Sequence, residues 1–495
     1  MTTNRRDFIK YVVAGSVASG CPVDLSLLAQ PTETEPAINS EDNRICHQVR
    51  DGKVFTRPPA TAHHDVVIVG AGISGLTAAY LLRHRDVLLL EKEPHLGGNA
   101  YAMDYQREAY ATGTAFLYKS DASYALATEL GMQPLPINSP DGTILQGEFI
   151  ADTWGAGLDH LPYPASVRDA FKKFKKEILA IDIDKRAEEF YALPLSDFLK
   201  GYPQELTDWW DAYGASNYGA VCKDAATGAA VIEMQSMDLE TSSDDRYTFP
   251  GGLGALSKKL IELLHPHSDR LISGATTVSV AQQRNKVHVT YIGEGGVKTV
   301  SAKAVIMAAP KLITNRIVES IPEKQRDAMR QIRYIPYPVV NLIFDKPVFN
   351  LGYDTWCPGK SFTDITIADW VLQNQPGYKQ KYNILTFYTP MKEQDRARFL
   401  TDEGTREVAA NVLRDFQNLL PNTNVDPVEV HIYRRGHPVY MSSPRLYTQI
   451  QPLARHPMDR VFFANTDSEG PESTADSAIL AARRAVKELE ARLHG

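Results

Sequence analysis

Three glycines and one acid carry the clearest chemistry in the chain. Gly70-Ala71-Gly72-Ile73-Ser74-Gly75 follows directly on Asp65-Val66-Val67-Ile68-Val69 and runs into Leu76-Thr77-Ala78-Ala79-Tyr80-Leu81-Leu82. Gly70 permits a tight turn, Gly72 lets the backbone approach a diphosphate, and Gly75 allows a helix to lie close against a strand. Free amides and the positive dipole end of that helix stabilise phosphate, so Ala71 and Ser74 belong to the same anion site. A second apolar run, Val87-Leu88-Leu89-Leu90, ends in Glu91, 21 positions after Gly70, close to the separation of about 20 expected for a ribose-binding acid. An acid there accepts from ribose hydroxyls and repels a 2′-phosphate, which leaves FAD or NAD and disfavours NADP.

The elements that position these residues read as strand, turn, helix and strand. The β-branched run 66–69 is a buried parallel strand, and 76–82 has strong helix formers and small residues that pack on a sheet. The whole chain has 495 residues, 43% hydrophobic, enough for two to four structural units at roughly 100–200 residues each. The net charge of −7 comes without concentrated Lys and Arg, which excludes a nucleic-acid partner and suits a cationic substrate. The four cysteines, Cys21, Cys46, Cys222 and Cys357, form no CxxC pair and no metal-ligand spacing, so neither a disulfide framework nor a metal site is expected. Cys46-His47 reads as a surface pair.

Glu91-Lys92-Glu93-Pro94-His95-Leu96-Gly97-Gly98-Asn99-Ala100 resembles the acid-then-paired-glycine stretch of the flavin amine oxidase superfamily. In that family the two glycines run alongside the FAD diphosphate, and Asn99 stands where Arg is commoner. Tyr110-Ala111-Thr112-Gly113-Thr114-Ala115-Phe116 looks like its small-residue loop beside the flavin ring. Tyr247-Thr248-Phe249-Pro250-Gly251-Gly252-Leu253 resembles its Pro-Gly-Gly entry to the returning FAD domain. Thr276 to Val280 and Val287 to Thr290 read as a strand pair, in which the resemblance implies that the Thr277 backbone holds the adenine. Val461-Phe462-Phe463-Ala464-Asn465-Thr466-Asp467, followed by a helical pattern from Ser477 to Leu493, matches the turn that closes over the ribityl chain. There Asn465-Thr466 replaces the usual Gly-acid pair, and Asp467 is the implied ribityl ligand.

The resemblance spans residues 60–495 and implies FAD as cofactor, with Gly70, Ala71, Gly72, Ser74, Gly75, Glu91, Lys92, Gly97, Gly98, Asn99, Gly113, Thr114, Thr277, Asn465 and Asp467 as its binding residues. The implied fold is α/β: a Rossmann-type FAD-binding domain (65–115, 243–312 and 440–495) interleaved with an α+β substrate domain (116–242 and 313–439), monoamine-oxidase-like. Within the latter, Pro164 to Phe198 reads as largely helical, and Val339 to Phe344 and Asn383 to Tyr388 as strands.

Family chemistry implies an amine, a polyamine or related compound, whose carbon beside the nitrogen gives hydride to flavin N5 while aromatic side chains position it. In Tyr433-Arg434-Arg435-Gly436-His437-Pro438-Val439-Tyr440, Tyr440 is the candidate cage residue and His437 a pocket polar group. Trp209, Trp210, Trp356, Trp370 and Tyr388 are further aromatic candidates that read rather as core, and Asp208, Asp211, Asp364 and Asp369 are acids of the kind that reads an amine tail, though such acids are mostly solvated. Many oxidases of the family carry Lys in the strand that begins here at Val339. The implied electron acceptor is oxygen, a quinone or a haem protein, and the valine points to a dehydrogenase that uses an acceptor other than oxygen. Residues 46–55 with Gly436-His437 look like the spermidine-dehydrogenase branch, without a clear haem ligand pair. The alternatives are a desaturase or isomerase of carotenoid or porphyrinogen type, which needs an apolar tunnel without acids, and an exported electron-transfer flavoprotein.

Asn4-Arg5-Arg6-Asp7-Phe8-Ile9-Lys10 before a short apolar stretch resembles a twin-arginine signal over residues 1–30, which implies export of the folded, cofactor-loaded protein to the periplasm or beyond. Ala18-Ser19-Gly20-Cys21 resembles a lipoprotein cleavage site, making Cys21 a candidate lipid anchor on a membrane. Residues 31–64, rich in Pro, Thr, Glu and Asn, read as a linker or arm.

Overall fold

Val66, Val67 and Ile68 have no exposed surface, so the strand that feeds the glycine turn is covered on both faces. The computed structural model describes residues 34–243 and 245–494; the twin-arginine stretch and Cys21 lie outside the described residues. The strand runs His63–Val69 and has parallel neighbours on each side, Val87–Leu90 and Gly296–Met307. Its sheet has seven strands, ordered Leu271–Ile272, Val87–Leu90, His63–Val69, Gly296–Met307, Lys286–Gly293 and Thr276–Gln283, with Val461–Phe463 also alongside Gly296–Met307. The 12-residue strand Gly296–Met307 serves two partners. Its first part pairs antiparallel with Lys286–Gly293, and its later part runs parallel to His63–Val69 and Val461–Phe463.

Alternation along the strands divides the core around this sheet. Val66, Ile68 and Leu89 face the helices Ile73–Leu81, Gly254–Leu264 and Ala475–His494. Val67, Val69, Leu88 and Leu90 face the opposite way, against Ile317, Met329, Tyr334 and Tyr440. Residues 313–334, assigned from sequence to the substrate domain, therefore pack with the nucleotide sheet. The helices Lys311–Ile317 and Glu323–Gln331 turn back under the strand they follow, and no composition change marks that turn.

The second sheet has eight strands in the order Ala37–Ser40, Glu429–Arg434, Val339–Phe344, Asn383–Tyr388, Asp364–Ile367, Asp354–Trp356, Gly142–Leu145 and Glu148–Ile150. Val340, Leu342 and Phe344 pack against Val412 and Phe416 of the helix Asp402–Leu419. Val339 and Ile343 point the other way, towards an aromatic core of Trp154, Trp209, Trp210, Phe174 and Tyr213 built on helices. Three of these helices are Ala165–Leu179, Gln204–Asn217 and Thr227–Ser243.

The segment 34–64 is built into the body. Ala37–Ser40 adds a parallel edge strand beside Glu429–Arg434, and the helix Arg44–Arg50 buries Cys46. Cys46 is thus no surface residue. Cys46, Cys222 and Cys357 are all free and buried, and burial lifts each thiol above its ordinary range.

A buried ion pair ties the two ends of the nucleotide domain. Lys311 Nζ lies 2.7 Å from Asp467 Oδ1, and neither side chain is exposed. Asp467 also accepts from the Lys311 N–H at 2.7 Å and the Tyr334 hydroxyl at 2.5 Å. Removing one member leaves a buried charge without its partner. Lys311→Met is expected to lower stability by about 3–5 kcal/mol, read as an earlier denaturation midpoint in circular dichroism, and Lys311→Met/Asp467→Leu to recover part of the loss.

Candidate active site

The glycine turn is packed backbone on backbone. Gly70 has φ +102°, and a Cβ there would lie 2.6 Å from the Ala308 carbonyl oxygen; a Cβ at Gly75 would lie 1.9 Å from the Gly70 oxygen. The paired glycines dock on the same turn. Gly97 N–H donates to the Ala71 carbonyl at 2.8 Å, and a Cβ at Gly98, where φ is +58°, would meet Gly72 Cα at 2.9 Å.

These contacts frame a cavity of about 230 Å³ whose wall includes Gly70, Gly72, Ser74, Glu91, Lys92, Gly98, Asn99, Thr114, Thr277 and Asn465. Ala71, Gly75 and Gly97 stand behind that wall and shape it. Glu91 accepts from the Ala71 N–H at 2.7 Å and the Glu93 N–H at 2.9 Å. Burial lifts its carboxyl while those two donors oppose the rise. Burial alone would lower Lys92, but Glu41, Glu93 and Glu91 outweigh it and hold the ammonium above the usual lysine range. Ser74 Oγ and Thr277 Oγ1 are buried with no hydrogen-bond partner among the described residues. Such groups are costly unless a ligand meets them. A dinucleotide with ribose and phosphate oxygens fits both, so the chemistry of the wall suits FAD.

Two sequence expectations change here. Asp467 is fully taken up by Lys311 and Tyr334 behind the wall, and Asn465 and Thr466 line the cavity instead. His437 lines this cavity and not the substrate cavity. Burial, with Arg396 nearby, lowers it to about 4, which keeps the ring neutral. Glu41 and Cys46 of the N-terminal arm also line the wall; without motif spacing, they were not readable from sequence.

A second cavity, of about 390 Å³, shares Asn99, Thr114, Pro438 and the run Ser473 to Ala475 with the first. At that junction the Asn99 amide donates to the Pro438 carbonyl at 3.0 Å. Gly113 and Phe116 line the second cavity, with Arg435 beside them. The Arg435 guanidinium donates to Thr112 Oγ1 at 3.0 Å, is 8% exposed, and has no ion-pair partner among the described residues. Tyr440, the expected cage residue, is absent from the wall. Strand alternation turns Val439 to the cavity and Tyr440 into the core behind, where its hydroxyl donates to the Gly470 carbonyl at 3.1 Å. The aromatic wall is formed instead by Trp356, Tyr337, Tyr388, Phe116 and Tyr447. Trp209 and Trp210 are core, and Trp370 is buried with its Nε1–H on the Ile137 carbonyl at 2.9 Å.

Acids dominate this cavity. Asp121, Glu233, Asp364, Glu472 and Asp476 all line it, and among the described residues none has a Lys, Arg or His within ion-pair reach. Asp141 and Asp354, by contrast, lie 2.6 and 3.8 Å from the Arg246 guanidinium. Glu472 is 5% exposed and its Oε1 has no hydrogen-bond partner among the described residues. Burial and the neighbouring Glu233 push Glu472 well above the ordinary range. Burial lifts Asp121 to about 7 against the Tyr118 N–H, and Asp476 and Glu233 add to the rise. Asp364 and Asp369, expected as solvated, are both about 4% exposed. Asp208 is exposed, and Asp211 accepts from the Cys222 N–H at 2.7 Å.

Comparison with known proteins agrees with this geometry. Residues 73–489 match the family described as flavin containing amine oxidoreductase. The chain is 22% identical to oxidoreductase PigB of Serratia sp. (strain ATCC 39006), over 88% of this chain and 76% of that protein. It is 23% identical to flavin-containing amine oxidase B of Homo sapiens, over 86% of each. A solved structure of putrescine oxidase bound to putrescine shares the fold, with a TM-score of 0.68 at 17% identity, covering 87% of this chain and 99% of that one.

The wall makes two demands that binding measurements read directly. Gly98→Ala places a methyl against Gly72 and is expected to yield protein that no longer retains flavin absorbance through gel filtration. Glu91→Gln weakens charge-assisted hydrogen bonds worth about 1.5–3 kcal/mol, so titration of the apoprotein with FAD is expected to show affinity at least about tenfold lower.

Proposed function

Because the chain belongs to the flavin-containing amine oxidoreductase family, with FAD as its cofactor and a monoamine-oxidase-like fold, we propose that it is a dehydrogenase of diamines or polyamines. It is an FAD-dependent oxidoreductase. The observation that carries the substrate reading is the unpaired acid wall of the second cavity. Glu233, Glu472, Asp121 and Asp476 stand together on one side and Asp364 on the sheet side. Carboxyls that are buried or half-buried without a cationic partner are costly, and a ligand with two ammonium groups relieves both sides. A monoamine relieves one. A tunnel for carotenoids or porphyrinogens needs the opposite lining.

When bound, FAD supplies the acceptor for the hydride on the carbon beside the amine nitrogen. The protein's own part is positioning and exclusion of water. Trp356, Tyr388 and Phe116 form apolar faces that fix an alkyl chain and attract a cation. Val339 lines the same cavity where a lysine would hold water, and its apolar side chain favours electron delivery to a quinone or a haem protein over oxygen. The spermidine-dehydrogenase-like stretch at 46–55 fits this reading. Arg5-Arg6 and Phe8 support twin-arginine export of the loaded enzyme to the periplasm, with Cys21 a candidate anchor.

Anaerobic mixing tests the substrate. Putrescine and spermidine are expected to bleach the flavin band at concentrations at least about tenfold lower than butylamine, a margin of about 1.4 kcal/mol for the second ammonium; no bleaching by any amine removes the reading. Reoxidation is expected to be faster with a soluble quinone than with oxygen. A pH test follows from the raised carboxyls. Asp121 is held at about 7 in the folded protein against an ordinary 3.8, so the folded state binds protons that the unfolded chain has lost. That stability is complete below about pH 4 and is lost as pH rises through about 7. Diammonium ligands offset the loss, so putrescine is expected to raise the melting temperature more at pH 8 than at pH 5.

A further inference from the structure

Val339, Tyr388, Asp364 and Trp356 are paired in register across four adjacent strands. Side chains opposite one another in register stand on one face of a sheet, and here all four line the second cavity. Three are apolar or aromatic. The other is a carboxyl that is 4% exposed.

A lone carboxylate in such a row is costly unless neutralised. Its acidic neighbours Asp141 and Asp354 share Arg246, whereas Asp364 has no basic side chain in ion-pair reach among the described residues. Its partners are hydroxyls. Ser216 Oγ donates to Asp364 Oδ1 at 2.9 Å and Thr363 Oγ1 donates to the same oxygen at 2.5 Å. The single Ser216 proton is committed there, so the Tyr337 hydroxyl, 2.7 Å away, donates to Ser216. Both donors on Asp364 act on one oxygen and fix the orientation of the carboxyl.

We propose that Asp364 is the proton acceptor for the substrate ammonium, a role that rests on the amine-oxidation reading of this cavity. The ammonium R–CH2–NH3+ gives a proton to Asp364–COO−, yielding R–CH2–NH2 and Asp364–COOH. One N–H bond breaks, one O–H bond forms, and the electron pair stays on nitrogen. No oxidation occurs in this step. It produces the neutral amine whose carbon can release hydride.

The surroundings suit that task. Burial lifts Asp364 to about 7 against the Thr363 and Ser216 hydrogen bonds, with Asp141 adding to the rise, close to the range where a general base works best at neutral pH. Of the groups that face it, Tyr337, Tyr388 and Cys357 are pushed by burial well above their ordinary ranges and stay protonated. Arg246 is engaged by Asp141 and Asp354.

The test is anaerobic stopped-flow reduction of the flavin in the holoenzyme, across pH, with an amine that bleaches the wild type. The wild-type rate constant over Kd is expected to rise through a break near pH 7, the value of Asp364. Asp364→Asn is expected to lose about 100-fold at pH 7 and to recover as pH approaches the amine's own pKa of about 10. Ser216→Ala removes a donor that favours the carboxylate and is expected to move the break to higher pH. An Asp364→Asn variant with the wild-type profile, or one reduced equally at every pH, overturns the proposal. Should that variant fail to retain FAD, an unshifted break in Ser216→Ala overturns it instead. If no amine reduces the wild type, the amine reading itself fails and the assignment of Asp364 goes with it.

Discussion

The helix after the glycine turn lies so close to the strand before it that a Cβ at Gly75 would stand 1.9 Å from the Gly70 carbonyl oxygen. Side chains are excluded from this contact, and that exclusion lets backbone amides and a helix end converge on one small volume. The paired glycines repeat the device from the other side, with Gly98 against Gly72. Ser74, Glu91 and Thr277 then take their places because the strands carrying them are held in one register by a sheet buried on both faces.

The substrate side depends on a different geometry, the alternation of a second sheet. Its even-numbered positions at Val340, Leu342 and Phe344 pack against a helix. The odd-numbered Val339 is left to face the cavity, in line with Tyr388, Asp364 and Trp356. The same rule moves Tyr440 out of the site and Val439 into it. A shift of one residue in either strand would reverse both outcomes. The two cavities meet because the chain crosses between domains several times, and the crossings at Asn99, Thr114, Pro438 and Ser473 form their common wall.

Charge is distributed unevenly around that junction. Buried cations elsewhere are matched, Lys311 by Asp467 and Arg246 by Asp141, which is the usual condition for a stable buried charge. Asp121, Glu233, Asp364, Glu472 and Asp476 of the second cavity have no cationic partner among the described residues, and burial has raised Asp121, Asp364 and Glu472 in response. A folded protein tolerates such a group by holding it protonated or by meeting it with a ligand. Here both are available, and exchange between the two states is what an amine-handling site requires.

Local signals in the chain were sufficient for the nucleotide half. The strand 66–69, the glycine turn, the strand pair at 276–293 and the C-terminal helix are each specified by residues adjacent in sequence, through hydrophobic period and backbone sterics, and the structure forms all of them. The strands at 339–344 and 383–388 were legible for the same reason. What sequence could not supply was the meeting of residues far apart in the chain. Asp364, Glu233 and Glu472 come from a strand, a helix and a loop with no common motif, and Asp467, expected at the ribityl chain, is taken up by Lys311 from a distant helix. Sequence spacing determined how a diphosphate is gripped because that grip is made within one turn of chain; tertiary packing decided what the cavity beside it accepts, because burial and charge pairing exist only once distant segments have come together.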